Sequence, residues 1–384
     1  MTIMIALVSD QRMQNVLPVF QQGANYSTII LLLSKERHSQ KPHPRYLASA
    51  EDLRHVFVNN GQDVIIAGSF LDPFSIDTTR NDIFNLISQL RNAADLPESI
   101  VVNISGGTKP MAIGALQAAQ AAALDCVYTD TENNELIWLS PDGTVKTQRL
   151  EVANLDVAKY LRSYGATIAS AQRVQEIDPR LVSSACKIAE YHPIFYQPII
   201  QSITNALKAA NYHLPVCCQL PHPPTRRQRE LIVEFAELDI WQWAETNAEL
   251  HISQRESAAF LNGGWVELCV ANQLVNSQYF DEVLINVTLD GIEGEIDVVA
   301  VSKGKLILIE CKSNVQRSEQ LSKLDSFRKR LGGPFAKAYY VRASEAYAKP
   351  IRNQARKFQL NEVFLGKEIH TIGKSIGKTI GVLG

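Results

Sequence analysis

The sequence predicts an α/β protein: two globular parts joined by a helical segment. Three observations carry this reading. Apolar strand-like runs alternate with helical ones over the first 130 residues, the order of a doubly wound, mostly parallel sheet. Four prolines between Pro215 and Pro224, followed by Thr225-Arg-Arg-Gln-Arg229, mark an extended junction. Residues 295–312 read as a hairpin with ionisable side chains gathered at one end. At 384 residues the chain is also too long for one comfortable core.

In the first part, residues 3–8 and 28–33 are apolar strands separated by enough chain for a loop and a helix holding Val16, Leu17, Val19 and Phe20. Further strands are expected at 63–67, 99–104 and 125–129, with helices at 82–93 and 111–123. Strands buried on both faces by such helices are nearly all apolar, as these are. Leu136-Ile-Trp-Leu139, the turn Pro141-Asp-Gly143 and residues 145–150 make a closing hairpin, which ends this part at residue 150.

Doubly wound sheets bind ligands beyond the carboxyl ends of their strands. There the first strand runs into Ser9-Asp10-Gln11-Arg12 with Asn15 beyond, and the fourth into Ser105-Gly106-Gly107-Thr108-Lys109-Pro110 before a helix. Glycines let backbone amides approach a phosphate, the helix amino terminus attracts the anion, and Thr108 and Lys109 add a hydroxyl and a charge. The spacing is neither that of a Walker A loop nor Gly-x-Gly-x-x-Gly. Taken alone, the string is also compatible with a plain strand-to-helix connection.

Residues 151–229 read as a helical connector, with helices at 155–165, 179–191 and 195–208, small and winged-helix-like. No helix in it is basic enough to read DNA, so a dimer-stabilising or signal-transmitting role is expected. The last part spans 230–384; its Trp241 and Trp243 are expected in the core or covering it.

Ile296, Val298, Val299 and Val301, then Leu306 to Ile309, suit buried strands, and Ser302-Lys-Gly304 supplies the turn. If the tight turn is Lys303-Gly304, Asp297 faces Glu310 and Glu295 faces Lys312, all four on one sheet face; a longer loop would shift this register. Facing carboxylates repel, so the arrangement calls for a cation between them. An isolated Glu-x-Lys is ordinarily a surface ion pair, but Glu310 closes an apolar run and so stands at the rim of a buried sheet, where a charge needs a partner or a metal. Upstream, Asn262-Gly-Gly-Trp-Val-Glu267 looks like a helix start that brings Glu267 to the same cluster. Beyond the hairpin, a helix at 319–331 turns Gln320 and Lys323 toward the site, and a strand follows at 337–341.

Composition is that of an ordinary soluble protein, 46% apolar and 20% charged, with no run approaching a membrane span and no basic leader, so a cytoplasmic location is expected. Six cysteines without a Cys-x-x-Cys pair and eight histidines without zinc-finger spacing argue against a zinc site and for reduced thiols; adjacent Cys217 and Cys218 read as packing. Net charge is −2, yet residues 301–384 hold 17 Lys or Arg against 6 Asp or Glu, a local +11 that leaves −13 for the rest. Arg317, Lys323, Arg328, Lys329, Arg330, Arg352, Arg356 and Lys357 are therefore candidates for holding a polyanion, against the alternative of a solvated basic surface.

An acidic residue on a leading helix, then Asp, a turn and Glu-x-Lys resembles the PD-(D/E)xK nuclease superfamily, though its first proline is absent. That resemblance implies catalytic residues Glu267, Asp297, Glu310 and Lys312. Asp297, Glu310 and the Cys311 carbonyl would ligate Mn²⁺ or Mg²⁺, with Glu267 bound directly or through water. Lys312 would orient or deprotonate the attacking water, and Glu295 would be a further ligand or the partner of Lys312. Gln320, Lys323, Arg328 and Arg330 are the expected substrate contacts. Joined to the Gly-Gly-Thr-Lys loop, this resembles the two-domain CARF nucleases of type III CRISPR defence over nearly the full chain: a Rossmann-like CARF sensor (1–150), the connector and junction (151–229) and a restriction-endonuclease-like domain (230–384). The resemblance implies a homodimer that binds cyclic tetra-adenylate through Ser9, Gln11, Asn15, Ser105, Gly106, Gly107, Thr108 and Lys109. The effector would switch on metal-dependent cleavage of nucleic acid, single-stranded RNA or DNA being the expected substrate. Two alternatives stay open: a non-enzymatic, DNA-binding regulator, and a sensor that degrades its own ring ligand.

Overall fold

In the computed structural model, which describes residues 2–37, 39–93, 97–191, 197–313, 319–333 and 336–381, the chain forms two units. The first comprises Met1–Thr167, Lys303–Leu306 and Arg330–Phe335; the second comprises Ile168–Ser302, Ile307–Lys329 and Ala336–Gly384.

The first unit runs β1 (Thr2–Leu7), α1 (Met13–Phe20), β2 (Thr28–Leu32), α2 (Pro44–Asn59), β3 (Asp63–Ile66), α3 (Ile76–Arg91), β4 (Ser99–Asn103), α4 (Lys109–Ala121), β5 (Asp125–Asp130), β6 (Glu135–Leu139), β7 (Val145–Arg149) and α5 (Val157–Ser163). Its seven strands lie in the order β3-β2-β1-β4-β5-β6-β7, parallel through β5 and antiparallel beyond. The chain winds outward from β1 in one direction and from β4 in the other, so the crevice where a doubly wound sheet takes ligand lies beyond the ends of these two neighbours. Ile3, Ile5 and Leu7 of β1 and Met111, Ala115, Ala118 and Ala119 of α4 share one core. Gly114 lets α4 lie close on α3, where a Cβ would press on the Ile76 carbonyl and Thr79.

The second unit runs β8 (Ile168–Gln172), α6 (Pro179–Tyr191), α7 (Gln197–Ala209), β9 (Val216–Gln219), α8 (Arg226–Glu237), β10 (Gln242–Ala244), β11 (Glu249–Ile252), α9 (Arg255–Ala259), α10 (Trp265–Ser277), β12 (Glu282–Leu289), β13 (Ile292–Ser302), β14 (Lys305–Lys312), α11 (Glu319–Leu331), β15 (Lys337–Arg342), α12 (Ala348–Lys357), β16 (Glu362–Leu365) and α13 (Ile372–Thr379). Its main sheet has the order β16-β15-β14-β13-β12-β8, and a smaller one has the order β10-β11-β9. β13 and β14 occupy the middle; β14 is buried along nearly its whole length and β13 over residues 296–302, after an exposed start at 293–295, hence the Val, Ile and Leu runs there.

Two boundaries differ from expectation. The division falls between Thr167 and Ile168, because β8 is the edge strand of the six-stranded sheet, antiparallel to β12. The stretch after Pro215 is no linker: Val216 and Cys218 are buried and Cys217 is exposed, the alternation of a half-buried strand, and Thr225 opens α8 through a reciprocal cap with Gln228. The connector thus shares a sheet with residues as far as Ile252. Trp241 is in the core, its indole N–H donating to the Ile232 carbonyl.

Candidate active site and effector loops

The β13–β14 hairpin turns on Lys303 and Gly304 alone, both at positive φ (47° and 74°), a two-residue connection of the type that right-twisted strands favour. Asp297 on β13 and Glu310 on β14 are buried, and the Lys312 ammonium lies 2.9 Å from Asp297 Oδ2 and 2.6 Å from Glu310 Oε1. The Cys311 amide donates to the same Asp297 oxygen at 2.6 Å. Glu267 enters from the first turn of α10. Asn286 of β12, its amide nitrogen turned to the carboxylates, donates to Glu267 Oε2 and Glu295 Oε1 at 3.1 Å each.

Negative charge exceeds positive here, and the titration of the cluster shows it. Burial, reinforced by Asp297, pushes the Glu267 carboxyl up to about 8. Burial followed by Asp297 also raises Glu310 and Glu295. Burial pulls the Lys312 ammonium down, but Asp297 and Glu310 outweigh it and its net shift is upward. Carboxylates whose burial and mutual repulsion raise their pKa have the chemistry of a site for a hard divalent cation, which offsets their charge as a proton otherwise does. The donors fit such an ion: Asp297, Glu310 and Glu267 offer only oxygen, and the Cys311 thiol is buried and pushed well above its usual range, which leaves its carbonyl as that residue's ligand atom.

A cleft of about 790 Å³ opens on this cluster, lined by Glu267, Glu295, Lys312 and Ser313 together with Asn262 to Gly264, Asn286, and Ser170 and Gln172 of β8. Lys323 reaches the Glu295 carbonyl at 3.3 Å, and Gln320 stands half-buried on the same helix. Arg328 points elsewhere: it is buried in an ion pair with Asp325 at 2.7 Å, which corrects its expected substrate contact. Arg330 is exposed and grouped with the first unit, and Arg317 lies outside the described residues. Sequence reasoning missed Asn286, Tyr340 beside Glu310, and Arg342 beside Lys312, the last buried and donating to the Ser344 and Ala346 carbonyls. Asn286 had one visible signal, a polar residue inside Val-Leu-Ile-Asn-Val; its φ of 54° is one that Asn adopts more readily than its β-branched neighbours.

In the first unit, the loops after β1 and β4 meet. Gly106 can only be glycine, since a Cβ there would collide with the Leu7 carbonyl, and Gly107 takes a φ of 72°. Thr108 caps α4, accepting from the Met111 amide and donating to the Pro73 carbonyl. Gln11 and Lys109 are exposed. The Ser9 hydroxyl is buried without a hydrogen-bond partner among the described residues. Asn15 is the exception to its expected role: fully buried, it donates to the Leu7 carbonyl at 2.9 Å and accepts from Asn103 at 3.0 Å, so it ties the two loops together instead of facing a ligand. Ser105 bonds the Asn103 oxygen and Thr129 in the same network. Asp10 is held by Arg45.

Comparisons with known proteins agree with this division. A family model described as the Card1 CARF domain matches residues 3–160, and one described as a Card1-like endonuclease domain matches residues 254–371. Among solved structures, protein VC1899 from Vibrio cholerae is 18% identical with a TM-score of 0.81, covering 99% of this chain and 98% of that one. Can2 from Sulfobacillus thermosulfidooxidans, solved with cyclic tetra-adenylate, is 20% identical with a TM-score of 0.73, covering 99% and 100%. A type III CRISPR defence DNA nuclease activated by cyclic oligoadenylate is 16% identical with a TM-score of 0.56, covering 89% of this chain and 45% of that longer one. No curated protein matches the sequence. No helix among the described residues is long and apolar enough to cross a membrane.

Proposed function

We propose that this chain, which belongs to the family joining a CARF domain to a nuclease domain, is a divalent-metal-dependent endonuclease switched on by cyclic tetra-adenylate. The observation that carries the reading is the cluster in which Lys312 pairs with Asp297 and Glu310 beside an open cleft lined by Lys312, Glu267 and Glu295. A divalent ion bound by Asp297, Glu310, Glu267 and the Cys311 carbonyl would supply Lewis-acid stabilisation of phosphate charge and an acidified water. The remaining work falls to the chain. Lys312 holds Asp297 and Glu310 in place and offers an ammonium to charge developing on the phosphate. The Cys311 amide fixes one Asp297 oxygen, leaving the other for a ligand. Asn286 orients Glu267 and Glu295. Lys323 brings a cation to the cleft rim for the nucleic acid backbone. No base-reading element is evident, which favours single-stranded RNA or DNA read with little sequence preference.

The effector reading rests on the bare Gly106-Gly107 backbone, the α4 amino terminus, the buried Ser9 hydroxyl and exposed Lys109 and Gln11 at the switch point. A ring of repeated adenylates offers equivalent phosphates to two equivalent loops, hence a homodimer. Activation is then a population shift toward a cleavage-competent state.

The test is cleavage of labelled single-stranded RNA and DNA with Mn²⁺ or Mg²⁺, with and without cyclic tetra-adenylate. Wild type is compared with Glu310→Ala and Lys312→Ala. Cleavage that needs metal and ring, and that both substitutions abolish, is expected. Ring consumption without substrate cleavage would replace this reading with a ring-degrading one; ring-dependent binding of duplex DNA without cleavage would replace it with a regulator.

A further inference from the structure

Between the two matched spans, 3–160 and 254–371, lies a segment that neither family description covers. It contains the small sheet, where the antiparallel register sets Cys217 of β9 opposite His251 of β11 and Gln219 opposite Glu249. Alternation turns Val216, Cys218, Leu250 and Ile252 into the core and Cys217, Glu249 and His251 to the other face. On that face a ligand atom of each of the three lies within 4.8 Å of the others, and His251 Nε2 stands 3.6 Å from Glu249 Oε2.

We propose that this face is a second metal site, for Zn²⁺ or a similar borderline transition-metal ion, with Cys217 thiolate, His251 imidazole and Glu249 carboxylate as protein ligands and a fourth position for water. Three arguments carry it. The donor set is chemically unlike the nuclease cluster: a thiolate and an imidazole select zinc over magnesium, as carboxylates alone do not. The spacing is close to what a tetrahedral ion needs. Bonds of about 2.0 to 2.3 Å place ligand atoms roughly 3.3 to 3.7 Å apart, so closure takes about an ångström of rotation by side chains that are exposed or half-buried. Finally, the register gives Glu249 no cationic cross-strand neighbour: Gln219 and Ala244 face it, and Gln242 faces His251. Cysteine more often sits in the core, where Cys218 is, than on a solvent-facing strand position. Zinc there would clip β9 to β11 across about 30 residues of intervening chain.

The experiment uses the full chain, stripped with chelator and titrated with Co²⁺ as a spectroscopic substitute. A saturable thiolate-to-cobalt charge-transfer band in the near ultraviolet is expected, bleached by Zn²⁺. It should vanish in Cys217→Ala, weaken in affinity by more than about tenfold in His251→Ala, and persist in Cys186→Ala. Cobalt in the all-oxygen nuclease cluster produces no such band. Absence of the band from wild type, or its full retention in Cys217→Ala, overturns the proposal. Zinc-edge X-ray absorption of the zinc-loaded wild type decides independently of how any variant folds. One sulfur near 2.3 Å with nitrogen and oxygen near 2.0 Å supports the site, and a shell of oxygen alone overturns it.

Discussion

Lys312 Nζ lies 2.9 Å from Asp297 Oδ2, so an ammonium on β14 is clamped to a carboxylate on β13, and the same ammonium holds Glu310 at 2.6 Å. All three side chains are mostly buried, so the pairing is little screened by solvent.

Removing that ammonium leaves two carboxylates facing each other. Lys312→Met is expected to lose about 3 kcal/mol of stability in chelator, and Lys312→Arg much less. Urea unfolding measures both, and added Mg²⁺ should restore Lys312→Met more than it stabilises wild type. A Lys312→Met chain as stable as wild type in chelator would show that the cluster does not hold the opposed charges described here.

Asp297→Asn and Glu310→Gln should each lower cleavage by about a hundredfold or more, with Glu267→Gln and Asn286→Ala costing less because those residues act at the edge of the cluster or through it. Single-turnover cleavage at saturating Mn²⁺ orders the variants. A Glu267 effect larger than that of Asp297 would make the helix carboxylate the principal ligand.

In the effector loops, structure separates two kinds of residue. Asn15→Ala removes the side-chain donor to the Leu7 carbonyl and one of the two acceptors of the Asn103 amide and should cost about 2 kcal/mol, seen as a lower melting temperature with or without ring. Ser9→Ala and Lys109→Ala should leave melting nearly unchanged while weakening cyclic tetra-adenylate binding by calorimetry. Gly106→Ala should damage both, because its Cβ has no room.

Cys186 gives a pH-dependent readout. The Cys269 thiol donates to it, against the opposing effect of burial, and Asn272 adds a bond at 3.4 Å, so Cys186 is brought down to about 7. The folded value lies below that of the unfolded chain. Its stabilisation is therefore full above the ordinary thiol range and is lost as pH falls through about 7. Iodoacetamide labelling of Cys186, followed by peptide mass spectrometry, should rise with a midpoint near pH 7. Cys218 and Cys126, pushed up by burial to about 11 and about 12, should resist labelling. Asn272→Ala should move the Cys186 midpoint upward.

Much was legible locally. The apolar runs of β1, β2, β4 and β14, and of residues 298–301 in β13, stand out because stretches of strand buried on both faces carry few polar residues. The Lys303-Gly304 turn was legible because a two-residue hairpin demands positive φ, which Gly supplies without strain. The tail carries a readable pattern too: Ile372, Ile376 and Ile380 recur every four residues and are buried. Gly373 and Gly377 alternate with them, where a Cβ would strike Gln273 and Tyr279. That is a helix packed closely on α10, written as a repeat.

What the sequence alone determined, then, is the set of elements and the chemistry of the hairpin, since both follow from neighbours in the chain: periodicity, turn residues and the two-residue spacing of Glu310 and Lys312. Which strands lie side by side was decided only by tertiary packing. That step set β1 against β4, drew β8 into the catalytic sheet, turned Asn15 inward and Arg328 away, and brought Cys217 to His251. The physical reason is that a residue's partner across a sheet or in a core is chosen by the burial of whole faces, a global quantity that no local window contains.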